Sequence, residues 1–177
     1  METFKRYVPI LFVALFYGCG GFQTATFTKS ADYSGGDKPK SVYLIVVSDK
    51  NTNTALHYYK LDLVDSLKKY GIDANGSFYC CRDEKTDMSK VIQQNLPVEK
   101  NYQTLLIIAI TKTVVGHGTS SAREFELTLF DNDEQKKTWS GSLKSTFDWF
   151  ISDDNYRAVA SKLTVSTLME LKKKGIL

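Results

Sequence analysis

The fold is decided by residues 42–47, Val-Tyr-Leu-Ile-Val-Val, an uninterrupted apolar run rich in β-branched side chains. A run of this length and composition predicts a strand that is buried on both faces. Such a strand belongs in the middle of a sheet. We therefore expect residues 42–47 to form a central strand of the folded domain.

The residues that follow predict alternating helices and strands. Asn53 or Thr54 caps a helix that ends at Gly71 in the left-handed conformation, because apolar residues recur at intervals of three and four between them. Its apolar positions are Leu56, Tyr59, Leu63, Leu67 and Tyr70. A short strand at 77–81 comes next, and then a second, shorter helix from Asp87 to Asn95 that Pro97 stops.

The second half of the domain changes character. Residues 104–115 give the longest apolar strand, and residues 124–129 alternate strictly between polar and apolar, which predicts a strand with one wet face. An acidic turn at 131–134 leads to a partner strand at 137–142. Asp153 or Asp154 caps a last helix to about residue 174, whose terminal lysines suit the negative end of its dipole. The expected fold is α/β (α+β): one domain, a mixed sheet of about five strands with three helices, in the order β-α-β-α-β-β-β-α.

The first 18 residues read as an export signal. Lys5 and Arg6 precede an almost wholly apolar stretch at 7–18, and Gly18 and Cys19 follow it. That order of basic, apolar and small-residue blocks is typical of a secretory signal. A spanning helix needs about 20 apolar residues, so this stretch is too short to cross a membrane.

The segment Phe16-Tyr17-Gly18-Cys19 resembles the lipobox of bacterial lipoprotein precursors, in which a small residue precedes a cysteine that becomes lipidated and N-terminal. The resemblance implies a thioether-linked diacylglycerol and an N-acyl chain on Cys19. Two or three acyl chains hold a protein on a bilayer stably, whereas one binds only marginally. The alternative is an ordinary signal that is cleaved a few residues further on.

Three segments follow from this interpretation: a signal peptide at 1–18, a lipidated and flexible tether at 19–40, and the mixed α/β domain at 41–177. The tether is rich in Gly, Ser, Thr, Lys and Asp, and it shows no sustained apolar period. As a coil it would reach roughly 25 Å. The whole chain has a formal net charge of +3, and removing the signal lowers it by one. This near-balance argues against nucleic acid as a partner.

Two local features resemble small α/β domains of the bacterial envelope, namely the N-terminal domain of periplasmic translocation proteins and the core of curli-export-type lipoproteins. One is Trp139-Ser-Gly141 in the strand after the acidic turn, and the other is the closing helix that runs into residues 171–177. The resemblance implies a docking or assembly role in the envelope, and it transfers no catalytic residue.

The residues that could carry chemistry do not form a recognisable constellation. His57 and His117 are the only histidines, and no spacing of His, Cys and carboxylates matches a zinc site. We therefore expect no metal and no cofactor. Cys80 and Cys81 are adjacent in an expected strand, so their side chains point to opposite faces and do not readily pair. An intermolecular disulfide through the more exposed thiol stays open.

Two segments are candidates for contact with a partner. Residues 116–121 place His117 between two glycines in a loop between strands, without the spacing of a hydrolase elbow or a phosphate loop. The segment after the hairpin clusters Phe147, Trp149 and Phe150. These aromatic residues either cover the edge of the core or form an exposed anchor for a partner, the kind of residue that dominates interface energetics.

Three functions from different classes remain. The first is a non-catalytic envelope lipoprotein, held on a membrane through Cys19 and binding another envelope protein, in the outer membrane and facing the periplasm or the cell surface. The second is a periplasmic carrier or sensor of a small or lipid-like molecule, which requires an apolar pocket. The third, a hydrolase using His117 or His57, is the least favoured.

Overall fold

The structure, a computed structural model, describes residues 24–48, 53–79, 101–115, 120–148 and 153–177. Side chains at 53, 114, 115, 120, 121, 147, 148 and 153 are outside this description. The elements are β1 (Ala25–Ser30), β2 (Ser41–Val47), α1 (Asn53–Lys69), β3 (Asp73–Tyr79), β4 (Thr104–Val115), β5 (Ser120–Asp131), β6 (Lys136–Asp148) and α2 (Asp153–Lys173).

The six strands form one mixed sheet in the order β1-β6-β5-β4-β2-β3. β2 pairs in parallel with β3 on one side and with β4 on the other. From β4 outward all pairs are antiparallel, through β5 and β6 to β1. The mixed α+β class is therefore confirmed.

β2 is an internal strand buried on both faces, as the sequence predicts, because every residue from Val42 to Val47 is buried. It lies second from one end of the six described strands, next to β3, and not at the middle of the sheet. One face of the sheet joins α1 and α2 in the main core, which includes Leu44 and Val46. The opposite face of β2 and β4 carries a second apolar cluster around Ile45 and Ile107. The alternation of side chains along a strand explains why this strand must be apolar throughout.

Both helices end in the same way, with a glycine at positive φ followed by a buried isoleucine. Gly71 has φ 79° and Gly175 has φ 74°. The amide of Ile72 donates to the carbonyl of Leu67, and that of Ile176 donates to Leu171, which is the hydrogen-bond pattern of a Schellman cap. The predicted glycine cap at residue 71 is confirmed. The prediction that Tyr70 joins the core is wrong, because Tyr70 lies in the terminal turn and is exposed.

The segment expected to be a flexible tether contains a strand. β1 pairs antiparallel with β6, with Ala25 opposite Ser145 and Ser30 opposite Gly141. Phe27 packs against the core and lies 6.1 Å, centroid to centroid, from the ring of Trp139. The expectation of a free coil is therefore wrong for this stretch, because β1 gains cross-strand hydrogen bonds and buries an aromatic ring.

The chain after β1 is also docked on β6. The amide of Ala31 donates to the carbonyl of Ser140 at 2.9 Å, and the amide of Ser34 donates to Thr138 at 2.9 Å. The Nζ of Lys174, at the end of α2, lies 2.8 Å from an Asp32 oxygen, and this hydrogen bond lowers the pKa of the Asp32 carboxyl. The folded unit thus includes residues 24–40 together with the described part of 41–177.

The observed count is six strands and two helices among the described residues, where five strands and three helices were expected. The additional strand is β1. The expected short helix from Asp87 to Asn95 lies outside the described residues, as do Cys80 and Cys81. β3 begins at Asp73, earlier than predicted, because its first residues are polar or small and give no apolar signal.

Trp139 and Gly141, noticed in the sequence, form a packing unit on the helix side of the sheet. Trp139 is 1% exposed, and its Nε1 donates to the Oγ of Ser30 at 3.3 Å. A Cβ on Gly141 would lie 2.8 Å from a ring carbon of Phe27 and 2.8 Å from a ring carbon of Trp139. The glycine therefore makes room for the two rings that join β1 to β6.

Candidate functional site

The residues that flank the candidate contact segments lie at one end of the sheet. β1 begins there and β6 ends there, because the two strands are antiparallel. The amide of Thr24 donates to Oγ1 of Thr146, and the amide of Thr146 donates to the carbonyl of Thr24, both at 3.0 Å. We call this end of the sheet, defined by Thr24, Thr146, the last residue of β4 and the first residue of β5, the N-terminal edge.

The hairpin of β4 and β5 closes at the same edge. Val115 is in register with Ser121, and Ser121 is in register with Phe147 on β6. Ser121, shortly after the segment that includes His117, therefore lies beside the backbone of Phe147, and Val115 lies one strand further away. The structure thus places the ends of two predicted contact segments next to each other.

Of the residues that the sequence singles out for lipidation or partner contact, one lies among the described residues. Phe147 lies in β6, and its backbone position is given by its pairing. Cys19, His117, Trp149 and Phe150 lie outside the described residues, so their predicted roles remain predictions.

β4 and β5 extend past β2 at this edge, and β6 continues beside β5 to the pair of Ser120 with Asp148. The last pair between β2 and β4 is Val47 with Ala109, yet β4 continues to Val115. Six further residues at about 3.4 Å each give a projection of about 20 Å. We call residues 110–115 and 120–125 the hairpin arm.

The described exposed side chains on the β4 half of the hairpin arm are polar. Thr111, Lys112 and Thr113 are exposed. A bulge occurs between Ile110 and Lys112, and the Oγ1 of Thr111 donates to the carbonyl of Glu124 at 3.2 Å. The bulge interrupts the register at the base of the arm, and bulges of this kind bend a strand and increase its twist.

Opposite charges alternate across the hairpin arm and β6. Lys112 is in register with Glu124, and Glu124 is in register with Lys144. Cross-strand pairs of opposite charge stabilise a sheet by roughly 0.2–1 kcal/mol each. The alternation therefore favours this register of β4, β5 and β6, and both lysines are exposed.

Polar side chains are also buried on the helix side of the sheet. Arg123, in the arm, is 4% exposed and lies opposite the buried Ser145. Between the helices, the hydroxyl of Tyr59 lies 2.7 Å from Oγ1 of Thr167. Burial raises the pKa of the Tyr59 hydroxyl, and the Thr167 contact partly opposes the rise. The Tyr59 hydroxyl is therefore neutral and joins α1 to α2.

His57, the second histidine considered for catalysis, lies on the exposed side of α1. Its ring lies edge-on to the ring of Phe78, with centroids 5.5 Å apart, and near that of Tyr58. The ring thus packs on aromatic neighbours. In the part of the chain that the structure describes, no group of three or more His, Cys, Asp or Glu side chains is arranged to hold a metal ion.

A shallow groove of about 330 Å³ lies where β1 meets β6. It is lined by Lys29, Ser30, Ala31, Glu126, Ser140, Gly141 and Ser142. Hydroxyls, one amine and one carboxylate dominate this lining. The groove therefore differs from the apolar pocket that a carrier of a lipid-like molecule requires.

The helical layer leaves several apolar side chains exposed. Val165 and Met169 lie one turn apart on α2 and are 51% and 68% exposed, and Leu61 on α1 is 42% exposed. Within the described ranges, no helix is both long enough and apolar enough to cross a bilayer.

Sequence reasoning missed β1, which defines the N-terminal edge. A signal for it exists in Ala25-Thr-Phe27-Thr, where two apolar residues alternate with β-branched threonines. The alternation is short because β1 is an edge strand with an exposed outer face. A test for period-two alternation over four residues would have found it.

The chain is similar to known proteins in structure and not in sequence. No protein family matches the sequence, and no curated protein matches it. A variant of PelC from Paraburkholderia phytofirmans, solved as a dodecamer, superimposes with a TM-score of 0.50 and 14% identity, covering 83% of this chain and 98% of that chain. Another structure of the PelC dodecamer from the same organism gives a TM-score of 0.49 at 14% identity, covering 83% of this chain and 97% of that chain. The lipoprotein GNA1162 from Neisseria meningitidis gives 0.46 at 13% identity, covering 76% of this chain and 99% of that chain. At these identities the likeness to PelC establishes a shared fold.

Proposed function

We propose that the protein is a non-catalytic lipoprotein of the bacterial envelope, anchored through acyl chains on Cys19, whose α/β domain works as a protein-binding or assembly module. The proposed location is the outer membrane, with the domain facing the periplasm or the cell surface. The partner class is another envelope protein, and neither a cofactor nor a metal takes part.

The observation that carries this proposal is the order of residues before the first strand. Lys5 and Arg6, the apolar stretch at 7–18 and the Gly18-Cys19 pair match a lipoprotein signal. β1 begins at Ala25, six positions after Cys19. The anchor site and the folded domain are therefore adjacent in the chain, as a membrane-held module requires.

The fold supports the assembly role. The structure with the same fold at a TM-score of 0.50 is a PelC dodecamer, so this fold builds a large assembly in that protein. In this chain the exposed Val165 and Met169 on α2, and the exposed β4 residues of the hairpin arm, offer surfaces for contact. The activity that we propose is binding to another protein, without a step that makes or breaks covalent bonds.

Incorporation of a labelled fatty acid tests the anchor. Wild type and Cys19→Ser are expressed in a bacterial host with labelled palmitate, and the label in the purified protein is measured. We expect label in wild type and none in Cys19→Ser, because only the cysteine thiol forms the thioether. Equal labelling of the two proteins would reject the lipoprotein assignment.

Cys80→Ser and Cys81→Ser are matched controls, since each removes a thiol elsewhere in the chain. Both should incorporate as much label as wild type. Chemical crosslinking of the wild-type protein in its own membrane then tests the assembly role. A discrete crosslinked species that contains a second envelope protein or further copies of the chain supports it, and an exclusively monomeric band contradicts it.

A further inference from the structure

We infer that the N-terminal edge of the sheet faces the lipid bilayer at short range, with the hairpin arm at the headgroup surface and the Asp131–Gln135 turn pointing away. The inference rests on the proposed lipid anchor at Cys19 and adds an orientation to it. It commits to one occupant of this edge, a phospholipid surface.

The chain between the proposed anchor and the sheet is short. Thr24 is already hydrogen-bonded to Thr146, and β1 starts at Ala25. Six residues span at most about 20 Å when fully extended. A coil that continued to residue 40 would have allowed a contour of about 70 Å by the same measure. The domain therefore cannot turn freely above the membrane.

The direction of β1 determines which end of the sheet is near the anchor. Its first residue is in register with Ser145, close to the end of β6, and the chain then runs along β6 toward Trp139 and the opposite end of the sheet. An anchor attached before Ala25 holds the edge where β1 begins. The far end of the sheet is consequently the membrane-distal end.

The hairpin arm lies at the same end of the sheet. Thr113 pairs with Arg123, and Arg123 is eight residues from Asp131, which is a distance of about 27 Å along β5. The arm ends level with the start of β1, because Thr24 bonds to Thr146, which is in register with Ala122 and, across β5, with Val114. A linker that keeps Ala25 within about 20 Å of the anchor therefore also keeps the end of the arm near the surface that holds the anchor.

The N-terminal edge carries polar and charged side chains. Exposed side chains near it include Thr24, Thr111, Lys112, Thr113 and Lys144, with Glu124 between the two lysines. Hydroxyl and ammonium groups donate hydrogen bonds to phosphate and ester oxygens. The large exposed apolar side chains of the described residues lie on α1 and at its end and on α2. The described side chains of this edge therefore suit the headgroup layer and not the hydrocarbon.

A fluorophore on single cysteines tests the orientation in the full-length lipidated protein. The background is Cys80→Ser/Cys81→Ser with Cys19 retained, and the label is placed at Thr113→Cys or, as a matched control, at Glu134→Cys in the distal turn. The protein is reconstituted in phosphatidylcholine/phosphatidylglycerol vesicles that carry a headgroup quencher. We expect quenching at residue 113 to be several-fold stronger than at residue 134.

A variant with a longer tether tests whether the tether causes the orientation. Insertion of about twenty flexible Gly/Ser residues between Gly20 and Gly21 adds an r.m.s. reach of about 25 Å. We expect the insertion to relieve most of the quenching at residue 113. Quenching that survives the insertion unchanged would overturn the tether as the cause of the orientation.

Mass spectrometry of the same samples separates the two proposals. If the acyl chains are present but residues 113 and 134 are quenched equally, or residue 134 more strongly, the orientation is overturned and the lipoprotein assignment stands. If Cys19 carries no lipid, both are overturned. Circular dichroism of each labelled variant establishes that the substitution leaves the fold intact.

Discussion

The absence of a side chain at Gly76 allows β3 to pack closely against β2. Gly76 in β3 is in register with Leu44 in β2, and a Cβ on Gly76 would lie 2.7 Å from both the Cβ and the carbonyl oxygen of Leu44. Because Leu44 is fully buried and one of the contacting atoms is backbone, the neighbour cannot move away easily.

Gly76→Ala should therefore destabilise the domain by about 1–3 kcal/mol, the usual cost of overpacking. The free energy of unfolding from a urea titration measures the effect. Gly36→Ala is the matched control, because nothing lies within 4 Å of its Cβ position. We expect that control to change stability by less than about 1 kcal/mol. Equal effects of the two substitutions would show that the contact with Leu44 does not limit packing.

At the scale of elements, β1 determines where the domain begins. It supplies the Phe27 ring that packs on Trp139, the Ser30 hydroxyl that accepts from the indole, and the Ala25 carbonyl that accepts a hydrogen bond from Ser166 on α2. These contacts join the antiparallel end of the sheet to the helical layer. The strand is therefore part of the core and not an appendage of the anchor.

Removal of β1 should cost more than about 3 kcal/mol, because an aromatic ring and several hydrogen bonds are lost together. A chain that starts at Thr24 is compared with one that starts at Asp32, both in a Trp149→Phe background. Fluorescence from Trp139 should shift to longer wavelength in the shorter chain, since the indole gains access to water. Unchanged emission and stability in the shorter chain would contradict this role of β1.

The success of sequence reasoning differed between the elements for physical reasons. Residues 42–47 and both helix ends were predicted well, because burial on two faces and a glycine at positive φ each leave an unambiguous pattern. β1 was mistaken for a coil because only two of its apolar side chains, Ala25 and Phe27, pack against the core, and both are only partly buried. Their neighbours in the strand are polar. The N-terminal edge could not be predicted either, because it depends on the pairing of residues about 120 positions apart, which local periodicity does not contain.

For the whole molecule, the strand order predicts a gradient of stability. β2 is buried on both faces and hydrogen-bonded on both sides, whereas β1 and β3 each have one paired neighbour among the described strands. Opening of an edge strand exposes less apolar surface than global unfolding does.

Amide hydrogen exchange, followed by mass spectrometry or NMR, should therefore show the slowest exchange in β2 and in the first half of β4. β1 and β3 should exchange through smaller openings and at higher rates. The hairpin arm beyond Ala109 should also exchange faster than the base of β4, because β2 no longer covers it. Uniform protection across all six strands would indicate that the sheet opens only as a unit.

The antiparallel pairing of β1 with β6 also decides how the domain would resist mechanical load. In the proposed arrangement a pull on the acyl chains is transmitted through the short linker along the axis of β1. Ladder hydrogen bonds in an antiparallel pair run perpendicular to the strands. The force therefore acts on them in shear and loads them all at once, whereas a pull from the side would open them one after another. A module tethered at this strand is thus attached in the direction in which a sheet bears tension best.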